Sequence, residues 1–360
     1  MKFRGIILSF FLLAACSSEN SLVRIIGAGD VGIVGNSVKG VWSIPVKDIY
    51  DSGAGKDGIP SIDAPRFFES NNTLIDSYLF DEDLVIGLFA NGEARAYPHK
   101  ILDYHEIVND AMHGKSFSIS YCPLTGSSFG WESKVGGQQT SFGVSGLLYN
   151  SNLILYDRYS DSYWSQMLQK SISGKSIHQI PKSFDVVEST WGMWKKMYPE
   201  TKVLSNNQGF DRDYKVYPYG GYKKDDTFLL FPLSRKDNRL DLKERVLAVL
   251  HKDEPVVFRL INFYGARTKR ISFKTDDLLI VGNANVLKAF SLSLQQRELS
   301  FSYSFKDTPH FFSDNEGNQW SIFGEAISGP RKGEKLQATN SLMTYWLAVP
   351  PFFSQIQVYE

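Results

Sequence analysis

The 360-residue chain has only two cysteines, Cys16 and Cys122, too few for the disulfide framework of a small secreted domain. It has no net charge either, with 39 basic and 39 acidic residues, which argues against a nucleic-acid partner. After the first fifteen residues no apolar run is long enough to cross a bilayer as a helix. Helical periodicity is scarce. Aromatic residues are plentiful at 14%, chiefly Phe and Tyr, and they sit in strand-like alternation. These features predict a mainly β fold with a few short helices, a β-rich α+β protein.

The N-terminus reads MKFRGIILSFFLLAACSSEN. Lys2 and Arg4 form a basic n-region ahead of an apolar stretch too short to span a membrane. Leu13-Ala14-Ala15-Cys16 resembles the lipobox of bacterial lipoproteins. The resemblance implies a signal peptide over 1–15, lipidation of Cys16, and a membrane as partner. The expected location is the cell envelope, with Ser17 pointing to the outer membrane facing the periplasm. With Cys16 lipidated, Cys122 is the only free thiol.

LVRIIGAGDVG (22–32) satisfies Gly-x-Gly-x-x-Gly, but IVGNSVKGVWSIP follows it with no helical period. A dinucleotide site needs a helix N-terminus there. Residues 16–56 are therefore expected to be a tether and a first strand.

The remainder divides into a first half (57–205), a connector (206–238) and a second half (239–360), and the halves resemble each other. Tyr163-Trp164-Ser165, Ile172-Ser173-Gly174 and Trp191 are echoed by Gln319-Trp320-Ser321, Ile327-Ser328-Gly329 and Trp346. Fixed-interval similarity is the mark of duplication. The second half has no cysteine. Ser189-Thr190 followed by WGMWKKMYPE predicts a short capped helix packing Trp191, Trp194 and Tyr198 into the core.

Asn91-Gly92 and His113-Gly114 predict two tight hairpins. Pro98 opens a helical turn through Leu102. Continuing the second hairpin's register back from its turn sets Asn109 opposite Ser118 and His105 opposite Cys122. An imidazole beside the thiol would favour thiolate. A buried, inert cysteine fits the same pattern.

GEARAYP (92–98), HEIVND (105–110), YCPLTG (121–126), GVSGLLYNSNLILYDR (143–158) and YWSQ (163–166) resemble the bacterial and archaeal family called domain of unknown function 3179. DGIPSIDAPRF (57–67) and GEAISGP (324–330) extend the likeness. The resemblance places His105, Asn109, Asp110, Cys122, Asn150, Asp157, Arg158 and Trp164 at motif positions, and it supplies no reaction. Thr125 stands where many members carry a second cysteine. SLMTYWLAV lacks the family's late histidine, so no contribution from the second half to the site is expected.

Three functions remain open. The first is thiol-based redox or nucleophilic chemistry at Cys122, with His105 as base and Asp110, Asn109 or Asp157 orienting it. The second is a copper or zinc site using Cys122 and His105. The third is binding of a small molecule or protein without catalysis.

Overall fold

The computed structural model describes residues 32–33, 40–251, 254–306 and 309–359, so Cys16 and the signal segment lie outside the described residues. Among the described residues strands dominate, with two short α-helices, His99–His105 and Trp191–Met197. Among the described residues no helix is long and apolar enough to cross a membrane. Of the glycine-rich 22–32 segment only Gly32 is described, and it opens a two-residue strand against Tyr50 and Asp51.

Both expected hairpins form. Asn91 and Gly92 have φ of 48° and 82°, and His113 and Gly114 have 50° and 75°, the left-handed pair that a two-residue turn requires. Strands Leu84–Ala90 and Glu93–Pro98 pair across the first turn. Ile107–Met112, Lys115–Cys122 and Ser127–Glu132 form a meander around the second. Helix Trp191–Met197 starts at Thr190, whose hydroxyl caps Met193 N at 3.3 Å. It lays Trp194 on Gly87, where a Cβ would come within 2.1 Å of the indole.

The second half repeats this pairing. Val85 faces Pro98 and Val246 faces Arg259. Thr190 faces Leu84 and Tyr345 faces Arg245. The parallel pair Val203/Ala96 recurs as Val358/Val257. Met112 and Lys115 flank one two-residue turn, Phe273 and Asp276 the other. Trp191 N bonds Asp83 O at 2.7 Å, and Trp346 N bonds Glu244 O at 2.9 Å. Trp164 Nε1 donates to Asp157 at 2.9 Å, and Trp320 Nε1 to Asp314 at 2.8 Å. The two halves thus share one frame, with the tryptophans in matching places.

The halves also interlock. Val187–Thr190 lies between its own hairpin and the second-half strand Val286–Ser291. Ser341–Tyr345 pairs with Arg245–Val249 and touches the first-half meander. The joining bonds are reciprocal, Thr190 N to Asn285 O at 3.0 Å and Tyr345 N to Thr125 O at 2.8 Å. A continuous apolar core runs through both halves. The connector 206–238 is no free linker: Tyr214, Tyr219, Tyr222 and Phe231 are buried against the first half.

Candidate functional site

The hairpin register holds from Met112 back to Ile107, which faces Ser120. It stops there. The helix opened by Pro98 continues to His105, and Glu106 ends it in the left-handed region at φ 56°. His105 is therefore on a helix, not a strand, and does not oppose Cys122. Its Nδ1 lies 2.8 Å from Pro60 O and its Nε2 2.7 Å from Tyr214 OH. A carbonyl only accepts, so Nδ1 carries the proton and Nε2 accepts from the tyrosine. Burial, with Arg212 adding to it, pushes the imidazole down to about 4. A neutral ring occupied at both nitrogens is not the base or ligand the sequence suggested. The error was local: the pattern did not reveal that helix and left-handed exit consume the residues before Ile107.

Cys122 ends its strand opposite Ser127 and is 1% exposed. Its Sγ lies 3.5 Å from Ser151 O. Burial first, then the nearby Glu106, pushes the thiol up to about 11, opposite to the expected fall. Glu106, also buried, is pushed up to about 8 by desolvation, which a hydrogen bond from Tyr219 partly offsets. A group of that pKa is mostly protonated at neutral pH. The resting site is thus a neutral thiol beside a neutral carboxylic acid.

The turn after Cys122 is held on all sides. Thr125 and Ser127 hydroxyls lie 2.8 Å apart. Asn152 Nδ2 donates to both and to Gln166, and Gln166 Nε2 donates to Ser120. Every one of these side chains is buried, so the network rigidifies the turn. The second half joins in, contrary to the expectation drawn from SLMTYWLAV. Thr344 Oγ1 donates to Thr125 O at 2.9 Å, and Arg245 Nη1 donates to Gly126 O at 2.6 Å. Gly126 has φ 57°, and a Cβ there would sit 2.3 Å from the guanidinium.

The connector closes the site as a strap. Tyr222 OH donates to Leu124 O at 2.8 Å, and Ser151 Oγ donates to Phe231 O at 3.0 Å. Glu106, Leu124, Tyr219 and Phe231 line one small cavity beneath it.

The remaining sequence candidates brace the fold. Asn109 bonds Asp63, Ser118 and both backbone groups of Phe142. Asp110 accepts from Tyr97 OH and Arg95, each at 2.6 Å. Asp157 accepts from Trp164 and from the 160–162 turn. Arg158 bridges Asp57, Asp63 and Ser61. Asn150, at φ 52°, accepts from Ser234 N at 2.8 Å. None is brought to Cys122. Among the described residues no three His, Cys, Asp or Glu side chains converge as a metal set, and the copper or zinc pair Cys122/His105 is not assembled.

Sequence reasoning missed Glu106 as a site residue. It also missed a buried charged cluster behind Tyr121, made of His99, Asp103, Glu188 and Arg245. Glu188 and Arg245 signalled it as charged residues in apolar strands, while His99 and Asp103 stand on helix His99–His105.

The architecture defines a class: a duplicated, mainly β protein whose buried thiol lies under a tyrosine-rich strap. The chain belongs to the family described as protein of unknown function (DUF3179), whose profile matches residues 56–356. No curated protein and no solved structure matches it.

Proposed function

We propose that this chain is an exported lipoprotein, anchored by Cys16 in the cell envelope on the periplasmic side of the outer membrane, that does thiol chemistry at Cys122 with Glu106 as its proton acceptor. Once Glu106 has lost its own proton, Sγ attacks an electrophilic centre while the thiol proton passes to the Glu106 carboxylate. Glu106 then returns the proton to the leaving group, whose bond breaks as the bond to sulfur forms. The strap keeps the thiol dry and unreactive until a substrate displaces it.

One observation carries this reading: the repeat is an internal control. Counted from the matching turns, Asn283 stands at the position of Cys122 and Arg267 at that of Glu106. Asn283 there braces the fold, accepting from Asn285 N and Val286 N and donating to Tyr303 OH at 2.8 Å. The frame therefore tolerates other residues at both positions, and the buried thiol–carboxyl pair, costly in itself, serves something besides folding.

Modification of Cys122 by iodoacetamide, followed against pH, tests the reading. The rate should rise as Glu106 loses its proton around 8. Glu106→Gln should remove that inflection. If the variant keeps it, Glu106 is not the base; a thiol that never reacts in the folded protein favours binding without catalysis. Mass spectrometry of protein from its own host should find Cys16 as a lipidated N-terminus, and an intact Met1 would sink the anchor.

A further inference from the structure

Between strands Lys202–Leu204 and Arg245–Val249 the described chain carries no helix or strand. Irregular segments of that length inside a compact protein commonly serve as lids or binding loops. The strap is fixed at two points. Gln208 Nε2 donates to Arg66 O and Ser205 O at 2.8 and 2.6 Å, and Asp226 accepts from Leu242 N and Lys243 N at 3.0 and 2.6 Å. Residues 209–225 lie between these anchors, and Gly209, at φ 85°, follows the first of them.

A small set of side-chain bonds holds this middle part down. Three successive residues at the end of helix His99–His105 take it: Asp103 pairs with Lys223 at 2.9 Å, Tyr104 OH donates to Val216 O at 2.7 Å, and His105 accepts from Tyr214 OH at 2.7 Å. Tyr222 OH adds its bond to Leu124 O. On the inner side Tyr219, itself buried, hydrogen-bonds Glu106.

Among the described residues no cation stands beside the Glu106 carboxyl. Facing it are the Tyr219 hydroxyl from the strap and the Cys122 thiol from its strand, while His105, its chain neighbour, turns its ring to Pro60 and Tyr214. Ionised in place, Glu106 is an unpaired charge among Leu124, Val144, Leu148 and Phe231, which is costly. Lifting the strap lets water reach it and removes that cost.

We propose that residues 209–225 are a lid over Cys122 and Glu106, and that ionisation of Glu106 drives it open. Closed, it keeps thiol and acid neutral; open, it presents a hydrated carboxylate and an accessible thiol together. The lid thus regulates the chemistry proposed for Cys122, and its purpose rests on that reading. The closed lid holds a proton, with Glu106 at about 8, that the open lid has lost, with Glu106 near its ordinary 4.5. Each rise of one pH unit between those values therefore favours opening about tenfold.

Hydrogen exchange read by mass spectrometry, with each rate divided by the intrinsic rate at that pH, tests this on the full chain carrying Cys122→Ser. The slowest amides of 217–224 should exchange well before those of strand Lys115–Cys122. Their protection should fall about tenfold from pH 6.5 to 7.5, and adding Glu106→Gln should flatten the fall. If Glu106→Gln does not fold, judged by circular dichroism, Tyr219→Phe serves in its place. Without that hydroxyl the buried carboxyl keeps its proton longer, so the fall should continue above pH 8. Lid and strand exchanging together would overturn the proposal. So would protection indifferent to pH, a fall that survives Glu106→Gln, or one that still levels off at about 8 in Tyr219→Phe. Because this protein lacks the Cys122 thiol, the outcome is independent of whether Glu106 acts as the base.

Discussion

Arg245 from the second half and Glu188 from the first form an ion pair in the buried seam between the halves, and the same guanidinium reaches Gly126 O at 2.6 Å, four residues past the thiol. Removing one partner of a buried pair leaves the other charge uncompensated. Arg245→Ala should therefore destabilise the protein by about 3–5 kcal/mol, read by urea unfolding. Because that pair and the core span both halves, unfolding should be one transition. Two separate transitions would contradict the interlocked arrangement.

Thr125 offers a second check. Thr125→Val keeps the shape but strips the hydroxyl that faces Ser127 and Asn152. The expected loss is about 1–3 kcal/mol. Gly126→Ala should be worse, because it adds a clash with Arg245 to a left-handed backbone. A neutral outcome at both positions would mean that the turn is not held as described.

Glu106 and His105 contribute to stability against pH with opposite signs. Glu106 is raised from 4.5 to about 8, so between those values the folded state holds a proton that the unfolded chain has lost, and stability falls as pH rises. His105 is lowered from 6.5 to about 4, so between those values the unfolded chain binds the extra proton, and stability falls as pH drops. Each slope is about 1.4 kcal/mol per pH unit at most. The contributions of these two cancel between 4.5 and 6.5, and of the two only Glu106 acts from 6.5 to about 8. Subtracting the profile of Glu106→Gln from that of the native chain should isolate this decline. A flat difference above 6.5 would refute the buried acid.

Thiol reactivity gives the fourth prediction. At neutral pH iodoacetamide should modify Cys122 more slowly than a free thiol of pKa about 8.5. Tyr222→Ala, which releases the strap from Leu124, should speed modification at least several-fold. Glu106→Gln should lower the thiol pKa by removing a neighbouring negative charge, shown by the ultraviolet thiolate band. Fast labelling of the native chain would mean the chamber is open.

Much of the frame was legible in the sequence because its signals are local. Asn91-Gly92 and His113-Gly114 specify their turns through backbone conformation alone, and the Thr190 cap with the Trp191/Trp194 spacing specifies the helix. The tryptophan echoes marked the duplication because indoles fill fixed volumes in both cores. The site was less legible for a physical reason. Where a strand begins depends on how the chain before it ends, and Glu106 adopts φ 56° with no glycine to announce it. That one residue moved His105 away from the thiol and put itself there. Burial by the strap, which reversed the expected thiol pKa, comes from contacts about a hundred residues distant, such as Tyr222 with Leu124.

The reciprocal bonds Thr190 N–Asn285 O and Tyr345 N–Thr125 O have an ancestral consequence. Each half touches the other through its equivalent strand, and the joint at Thr190 continues a sheet, with Ser189 pairing to Val286. A single half would leave the strand Val187–Thr190 as an open edge, which Val286–Ser291 now covers. Fusing the two copies into one chain allowed them to diverge. One kept the buried thiol, and the other, with Asn283 in its place, braces the turn after it through Thr344 and Arg245.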